Sequence, residues 1–306
     1  MPMKTLLLGA RGAVGTIVRA ELERLGHQVT QAGRSADSEA VIDLGGDLSS
    51  VATHAREVDV VVNASGIERV DLAHATGTTP FVDISATSRY LDALLASAAD
   101  RPVVLGVGLA PGLTTVVTAA LPSNADDDID VLVMLGSGEQ HGPAAVEWTV
   151  GLVGSHVHRP PEGGSVRNLT TSVRASGPDG RTRRYLRADF PDHILLARDG
   201  GRRIRSYLTL SSAPMTTALA LVGRFPALRA TLKRSPHIGS DEWHVVARNR
   251  RTGEQRRVSG RGQSEATGRL TALAAIRAAE SDVTRPVTMA DLVSPDDIES
   301  LGWRLF

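Results

Sequence analysis

The chain has 306 residues, with 34 basic side chains, 34 acidic ones and a formal net charge of +0. That length suits two domains of ordinary size, and the balanced charge gives no electrostatic ground for a nucleic-acid or membrane partner. The lack of any cysteine excludes disulfides, thiolate nucleophiles and cysteine-ligated zinc.

Residues 4–25 read KTLLLGARGAVGTIVRAELERL. Residues 5–8 are a short apolar run, as expected of a central parallel strand covered on both faces. Val14, Ile17, Val18, Leu22 and Leu25 then recur on one helical stripe, and Gly26 stands where a helix C-cap glycine belongs. Between strand and helix lie Gly9, Arg11, Gly12, Ala13, Val14 and Gly15, with glycines at three-residue spacing. A strand, a glycine loop and a helix N-terminus together form a phosphate cradle. Gly9 serves the turn, Gly12 lets a pyrophosphate approach the backbone, and Gly15 lets the helix pack on the strand. The spacing is one residue longer than G-x-G-x-x-G. The expectation is dinucleotide binding.

An apolar strand this near the N-terminus leaves no room for a signal peptide, and no apolar run approaches the ~20 residues of a membrane span. The expected setting is cytoplasmic. Lysine appears only at Lys4 and Lys233, which disfavours lysine-based catalysis.

Residues 27–32 form the second expected strand, ending in Gly33, Arg34 and Ser35. A free ribose 2′-hydroxyl usually meets an acid here, whereas an arginine suits a 2′-phosphate, so Arg34 with Ser35 points to NADP over NAD. The alternative is a solvated loop arginine, and Asp37, further along, is the competing acid. Residues 40–44 read as a third strand, with the intervening helix reduced to a turn. Asp47 and Leu48 are expected to meet the adenine, as acceptor and apolar face; Asp47 with Ser49 can also cap the next helix, over 51–58, and both roles can hold at once.

Residues 58–64 are the next strand, ending in Asn63, Ala64 and Ser65, small residues suited to a cofactor-facing edge. A helix is expected over 67–76, a strand over 81–84 with Asp83 near its end, a helix over 88–99 and a strand over 102–107. Six strands alternating with helices are the doubly wound pattern. Gly108 to Gly112 then form a second glycine-rich turn before an apolar helix at 114–121. That turn is either a lip of the nicotinamide pocket and a domain junction, or a plain Pro-Gly turn.

Beyond Pro122 the pattern changes. Asp126, Asp127 and Asp128 read as a solvated turn, followed by a strand at 129–135, a glycine-rich loop at 136–142 and a helix at 143–156. Segments 164–175 and 182–190 alternate around Gly177-Pro178-Asp179-Gly180, a hairpin signal. A strand at 203–210, a helix at 214–233 interrupted near Pro226, a second hairpin at 243–260 and a helix at 262–280 complete an α+β half. The division expected is a Rossmann domain of residues 1–121, with 262–306 packing back, and a substrate domain of residues 122–261.

Three landmarks in order, Gly9-Ala10-Arg11-Gly12-Ala13-Val14-Gly15, Gly108-Leu109-Ala110-Pro111-Gly112-Leu113 and Gly260-Arg261-Gly262-Gln263-Ser264 before an alanine-rich helix, resemble the saccharopine dehydrogenase-like (saccharopine reductase) family. The resemblance spans nearly the whole chain, though 139–250 matches only in pattern. It implies a Rossmann domain, an α/β domain whose sheet often mediates dimerisation, and hydride transfer between NAD(P) and a C–N or C=N centre of a carboxylate-bearing amine or imine. A homodimer acting on a small molecule is expected on that basis. The shortness of the chain, its reduced second helix and its scarcity of lysines depart from the family.

Imine reduction needs a proton source and cations for substrate carboxylates. His141, in the glycine-rich loop, is a proton donor or a loop histidine; Glu147, one turn into the next helix, faces the same space or the surface. Asp83, at a strand's carboxyl end, is catalytic or structural. His156 and His158 lack identifiable partners for a zinc site, so no metal is expected. Arg181, Arg183, Arg184 and Arg187 either grip carboxylates or present solvated charge. Without a conspicuous acid–base pair, two other readings stay open: a non-catalytic NADP-binding sensor, and a reductase of an enoyl or carbonyl bond.

Overall fold

The computed structural model describes residues 2–139, 143–196, 201–234 and 238–306, apart from the side chains of residues 143, 144, 233 and 234. It divides into two compact units. The first comprises Met1–Ser85, Arg89–Gly112 and Ser264–Ser294; the second comprises Ala86–Ser88, Leu113–Gln263 and Pro295–Phe306.

The first unit is a doubly wound α/β layer. Its parallel seven-stranded sheet is built from β1 (Lys4–Leu8), β2 (Gln28–Gly33), β3 (Ala40–Val41), β4 (Val60–Asn63), β5 (Phe81–Asp83), β6 (Val103–Leu105) and β13 (Val287–Thr288), in the order β13-β6-β5-β4-β1-β2-β3. Leu6, Leu7 and Leu8 are buried, which is why β1 carries an unbroken apolar run at the sheet centre. The strand order reverses between β1 and β4, and that switch point opens a crevice at the carboxyl edge.

Helix α1 (Ala13–Arg24) buries Gly15, Val18 and Leu22. It ends in a Schellman motif: His27 N–H donates to the Leu22 carbonyl and Gly26 N–H to that of Glu23, with Gly26 at φ 84°. Leu25, expected on the inner stripe, is 45% exposed, because the chain turns away one residue earlier. Helices α2 (Ser49–Ala55), α3 (Asp71–Ala75) and α4 (Ser88–Ser97) are shorter than the apolar periodicity suggests. Residues 67–70 stay non-helical while the Arg69 guanidinium donates to the carbonyls of Leu44 and Gly46.

The returning helix α9 (Gln263–Glu280) buries Leu270 and a row of alanines. It approaches α1 so closely that a Cβ on Gly268 would lie 2.5 Å from an Ile17 methyl. The tail then adds β13 beside β6, a seventh strand where six were expected.

The second unit holds a mixed six-stranded sheet. Its strands are β7 (Asp128–Leu135), β8 (Ser172–Ser176), β9 (Thr182–Arg187), β10 (Arg203–Leu210), β11 (Glu242–Asn249) and β12 (Gln255–Arg261), ordered β12-β11-β7-β10-β9-β8. Only β7 and β10 pair in parallel; the rest are antiparallel. Helices α5 (Thr114–Ala119), α6 (Pro143–Leu152), α7 (Asp192–Leu195) and α8 (Ala213–Arg224) belong to this unit, and α10 (Pro295–Ser300) joins it near the end of the chain. Leu132, Tyr185, Tyr207 and Val246 form a cluster on one sheet face. Residues 164–171, expected as the start of a strand, lie outside β8.

The acidic stretch before β7 is no solvated turn. Asp127 is 3% exposed and paired with Arg251, while Asp128 meets Arg203 and Arg205. Fully buried Asp130 holds Arg248 and Arg250 at 2.6 and 2.7 Å. Buried carboxylates must be paired, and the arginines of β10, of β11 and of the turn after β11 supply the partners. The last residues also differ from expectation. Trp303 packs edge-on against Trp243 at 5.4 Å, and the Phe306 and Arg257 backbones exchange hydrogen bonds, so 295–306 belong to the second unit. Among the described residues no helix is long and apolar enough to cross a membrane.

Candidate functional site

A parallel sheet brings every strand's carboxyl end to one edge. In the first unit this edge collects the glycine loop after β1, Gly33 to Ser35 after β2, Asn63 to Ser65 after β4, Asp83 after β5 and Gly108 after β6.

The three glycines of the loop differ in what the fold asks of them. Gly9 has φ 83°, and a Cβ there would fall 2.5 Å from both the Ala64 carbonyl oxygen and Ser65 Cα. A Cβ on Gly15 would lie 2.1 Å from the Gly9 carbonyl oxygen. Gly12 caps α1 at φ −75° and ψ 167°, an extended conformation open to any residue. The nearest atom to a Cβ on Gly12 is the Gly9 oxygen at 3.3 Å. Packing thus forbids a side chain at Gly9 and Gly15, whereas at Gly12 a Cβ would be tight and the Gly9 carbonyl would have to give by a few tenths of an ångström. Ala13 and Val14 follow as the first turn of α1, with no acid among them.

Beside the loop, Arg11 donates to Ser35 Oγ and to Asp37 Oδ2, both at 2.8 Å. Arg34 is exposed and has no ion-pair partner among the described residues. Arg11 and the Ser35 hydroxyl therefore meet at the end of β2, where Arg34 is the adjoining residue of the chain. Hydrogen bonding from Ser35, and then from Arg11, holds the Asp37 carboxyl below its ordinary range. Asp47 is exposed, and its carboxylate accepts from Ser49 N–H ahead of α2; Leu48 is buried. The Asp47 contact matches the capping expected at the start of that helix.

The ends of β4 and β5 form one buried network. Asn63, 1% exposed, donates to the Ile67 carbonyl and to Asp83 Oδ2, and its Oδ1 accepts from Ser65 N–H and the Ser65 hydroxyl. Asp83, fully buried, also accepts from Ser85 N–H at 2.7 Å and the Tyr90 hydroxyl at 2.9 Å. Burial pushes the Asp83 carboxyl up, against the pull of its three donors. This engagement supplies the partners that the structural reading of Asp83 requires. Tyr90 and Arg69 were missed by sequence reasoning. One available signal was that only three tyrosines occur in the chain and a buried tyrosine hydroxyl needs a partner.

At Gly108, φ 135°, a Cβ would lie 2.8 Å from the Thr267 methyl group of α9. Gly112, at φ 114°, ends the first unit. The chain leaves that unit at the second sequence landmark and returns at Ser264, within the third.

In the second unit, Glu147 lies on the exposed side of α6. Its neighbour Trp148 turns inward, donating to the Ala86 carbonyl and packing on Phe190 at 4.9 Å between ring centres. His141 lies outside the described residues. Sequence reasoning also missed Asp189, which accepts from the Ser88 hydroxyl at 2.7 Å and from His158 N–H at 3.0 Å. The arginine run disperses: Arg183 pairs with Asp179, Arg184 with Ser172, and Arg187 is buried against Glu162. Among the described residues, no group of three or more metal-ligating side chains assembles. A surface depression lined by Lys4, Gln28, Thr30 and His54 lies toward the amino ends of β1 and β2, away from the glycine loop.

No protein-family model and no curated protein matches the chain. Among solved structures, it is similar to an engineered D-amino acid dehydrogenase bound to NADP+, at 15% identity over 98% of each chain with a TM-score of 0.48. It is similar to a C. glutamicum DAP dehydrogenase in complex with DAP, at 14% identity over 98% of each chain with a TM-score of 0.47. A dipicolinate-bound dihydrodipicolinate reductase from Paenisporosarcina sp. TG-14 aligns at 12% identity over 96% of this chain and 100% of that one, with a TM-score of 0.39. Function is therefore argued from this chain's own residues.

Proposed function

We propose that the first unit binds NADP(H) and that the protein is an NAD(P)-dependent oxidoreductase of the saccharopine dehydrogenase-like type. It would move a hydride to or from a C=N or C–N centre of a small amino-acid-derived substrate. The observation that carries this reading is Gly12. Its extended backbone does not require glycine, and packing demands less of it than of Gly9 or Gly15, yet it stands at the N-terminus of α1, where a Cβ would crowd the cradle that a pyrophosphate takes. Arg11, Arg34 and Ser35 then supply cations and a hydroxyl for a 2′-phosphate at the end of β2.

In this reading Gly9 to Gly15 and the α1 N–H groups hold the pyrophosphate, Asn63 to Ser65 wall the edge beyond it, and Gly108 and Gly112 shape the turn leaving β6. The nicotinamide supplies the hydride when bound. His141 and Glu147 are the proton-transfer candidates that remain once Asp83 is assigned to structure. The substrate domain, a homodimeric state and a cytoplasmic setting belong to the same proposal. A non-catalytic NADP sensor is the second reading. It is favoured by the absence of an assembled acid–base pair among the described residues.

Calorimetric titration with NADPH and with NADH tests the cofactor. Micromolar NADPH binding with weaker NADH supports the reading, and no binding of either removes it. Arg34→Asp should weaken NADPH and improve NADH. If both affinities stay unchanged, the assignment of the β2 end is wrong. Turnover of imines by wild type, lost in His141→Ala or Glu147→Gln, separates enzyme from sensor.

A further inference from the structure

The segment that replaces the second Rossmann helix does more than connect β2 to β3. Ser38 N–H donates to the Ser35 carbonyl at 3.0 Å, closing a tight turn over residues 35–38. Gly33 permits that turn to fold back, since a Cβ there would lie 2.5 Å from Ser38 Oγ. The turn holds Asp37 over the glycine loop, where its Oδ2 accepts from Arg11 at 2.8 Å while Arg11 also donates to Ser35. Both partners are exposed, at 60% for Arg11 and 72% for Asp37, so no burial forces the pair together. The carboxylate takes the same cation and the same hydroxyl that a 2′-phosphate needs.

Resting on the NADP reading above, we infer that Asp37 is a tethered anion that competes with the cofactor's 2′-phosphate for Arg11 and Ser35 and so sets the NADPH-to-NADH preference. A phosphate monoester carries about −1.5 to −2 charges at neutral pH and three acceptor oxygens, so it outbids one carboxylate for the guanidinium fork. Asp37 must swing off Arg11 when NADPH binds and then faces the phosphate as a like charge. NADH, which lacks the phosphate, leaves the Arg11–Asp37 pair in place.

The test is titration of wild type, Asp37→Asn and Asp37→Ala with NADPH, NADH, adenosine 2′-monophosphate and adenosine 5′-monophosphate. Both variants should bind NADPH and the 2′-monophosphate about three- to ten-fold more tightly, with NADH and the 5′-monophosphate no tighter than before; an exposed pair plus one removed like charge is of that size. Glu57→Gln, an exposed acid at the other end of the sheet, controls for net charge and should change nothing. Unchanged or weaker NADPH binding in both Asp37 variants overturns the inference while leaving the cofactor reading intact. An equal gain from Glu57→Gln overturns it too. Binding of neither dinucleotide by any of the four chains removes the cofactor reading and this inference together.

Discussion

Alanine placed singly at Gly9, Gly12 and Gly15 separates what the glycine loop does for folding from what it does for a ligand. At Gly9, φ 83° puts alanine in the left-handed region at about 1–2 kcal/mol. The 2.5 Å clash with the Ala64–Ser65 backbone adds about 1–3 kcal/mol of overpacking. At Gly15 the new methyl would lie 2.1 Å from the Gly9 oxygen, a backbone atom that cannot swing aside, so α1 must shift; about 3 kcal/mol is expected. At Gly12 the conformation is ordinary and the closest contact, 3.3 Å to the Gly9 oxygen, asks that carbonyl to give by only a few tenths of an ångström, so the cost is about 1 kcal/mol, that of alanine at an N-cap with a small packing adjustment. Urea denaturation should rank stability as wild type, then Gly12→Ala, then Gly9→Ala and Gly15→Ala well below. Calorimetry should show the reverse economy for Gly12→Ala: near-native stability with NADPH affinity reduced at least ten-fold. Gly12→Ala that is folded and binds NADPH like wild type would refute the pyrophosphate cradle. A Gly12→Ala as unstable as Gly15→Ala would refute the packing argument.

Two predictions concern the second unit. The Tyr185 hydroxyl shares a 2.8 Å hydrogen bond with Nε2 of His244, and burial holds that imidazole down to about 4 from 6.5. The folded protein therefore keeps His244 neutral while the unfolded chain takes up a proton. Its contribution is fully present above pH 6.5 and is lost progressively as pH falls toward 4, by about 3 kcal/mol in all. The stability difference between wild type and His244→Gln, followed by urea midpoints from pH 7 to 4, should move by that amount; a constant difference would count against it. Buried Arg187 donates through Nε to Glu162 and through Nη1 to the carbonyls of Ala188 and Ser206. Glu162→Ala strands its charge and should cost about 3 kcal/mol, with Glu162→Gln, which keeps an acceptor, costing less. Equal stability of wild type and Glu162→Ala would show the guanidinium to be solvated.

The parts legible in the sequence are those written in local pattern. The apolar run at Leu6 to Leu8, the Schellman glycine at Gly26, the hairpin turn from Gly177 to Gly180 and the strand Arg203–Leu210 each depend on residues within a few positions of one another. What stayed hidden depends on distant partners. Asp127, Asp128 and Asp130 look like solvent-seeking acids until β10, β11 and the turn after β11 bring arginines from more than seventy residues away. Strand β13 has only two residues, too few to show a period, and exists because β6 offers it an edge. In the candidate site the glycine spacing was visible, but which glycine the fold could spare was not, since that turns on where Ala64 and the Gly9 carbonyl lie.

The same distinction bears on Asp83. An acid at the carboxyl end of a strand reads as chemistry, because that edge meets ligands. Its two oxygens instead collect Ser85, Asn63 and Tyr90, and Asn63 passes the constraint to Ser65 through its own carbonyl. Ser65 and Ala64 in turn are the atoms against which Gly9 packs. A continuous path of hydrogen bonds and close contact thus runs along the sheet edge from β5 through β4 to the loop after β1. A buried carboxyl raised by desolvation is an expensive way to build such a path. It is a rigid one, because three directional donors fix the carboxylate and, through Asn63, the floor beneath the glycine loop. Asp83 is thus joined, through Asn63 and Ser65, to the backbone against which Gly9 packs, so a change at this acid should reach the glycine loop.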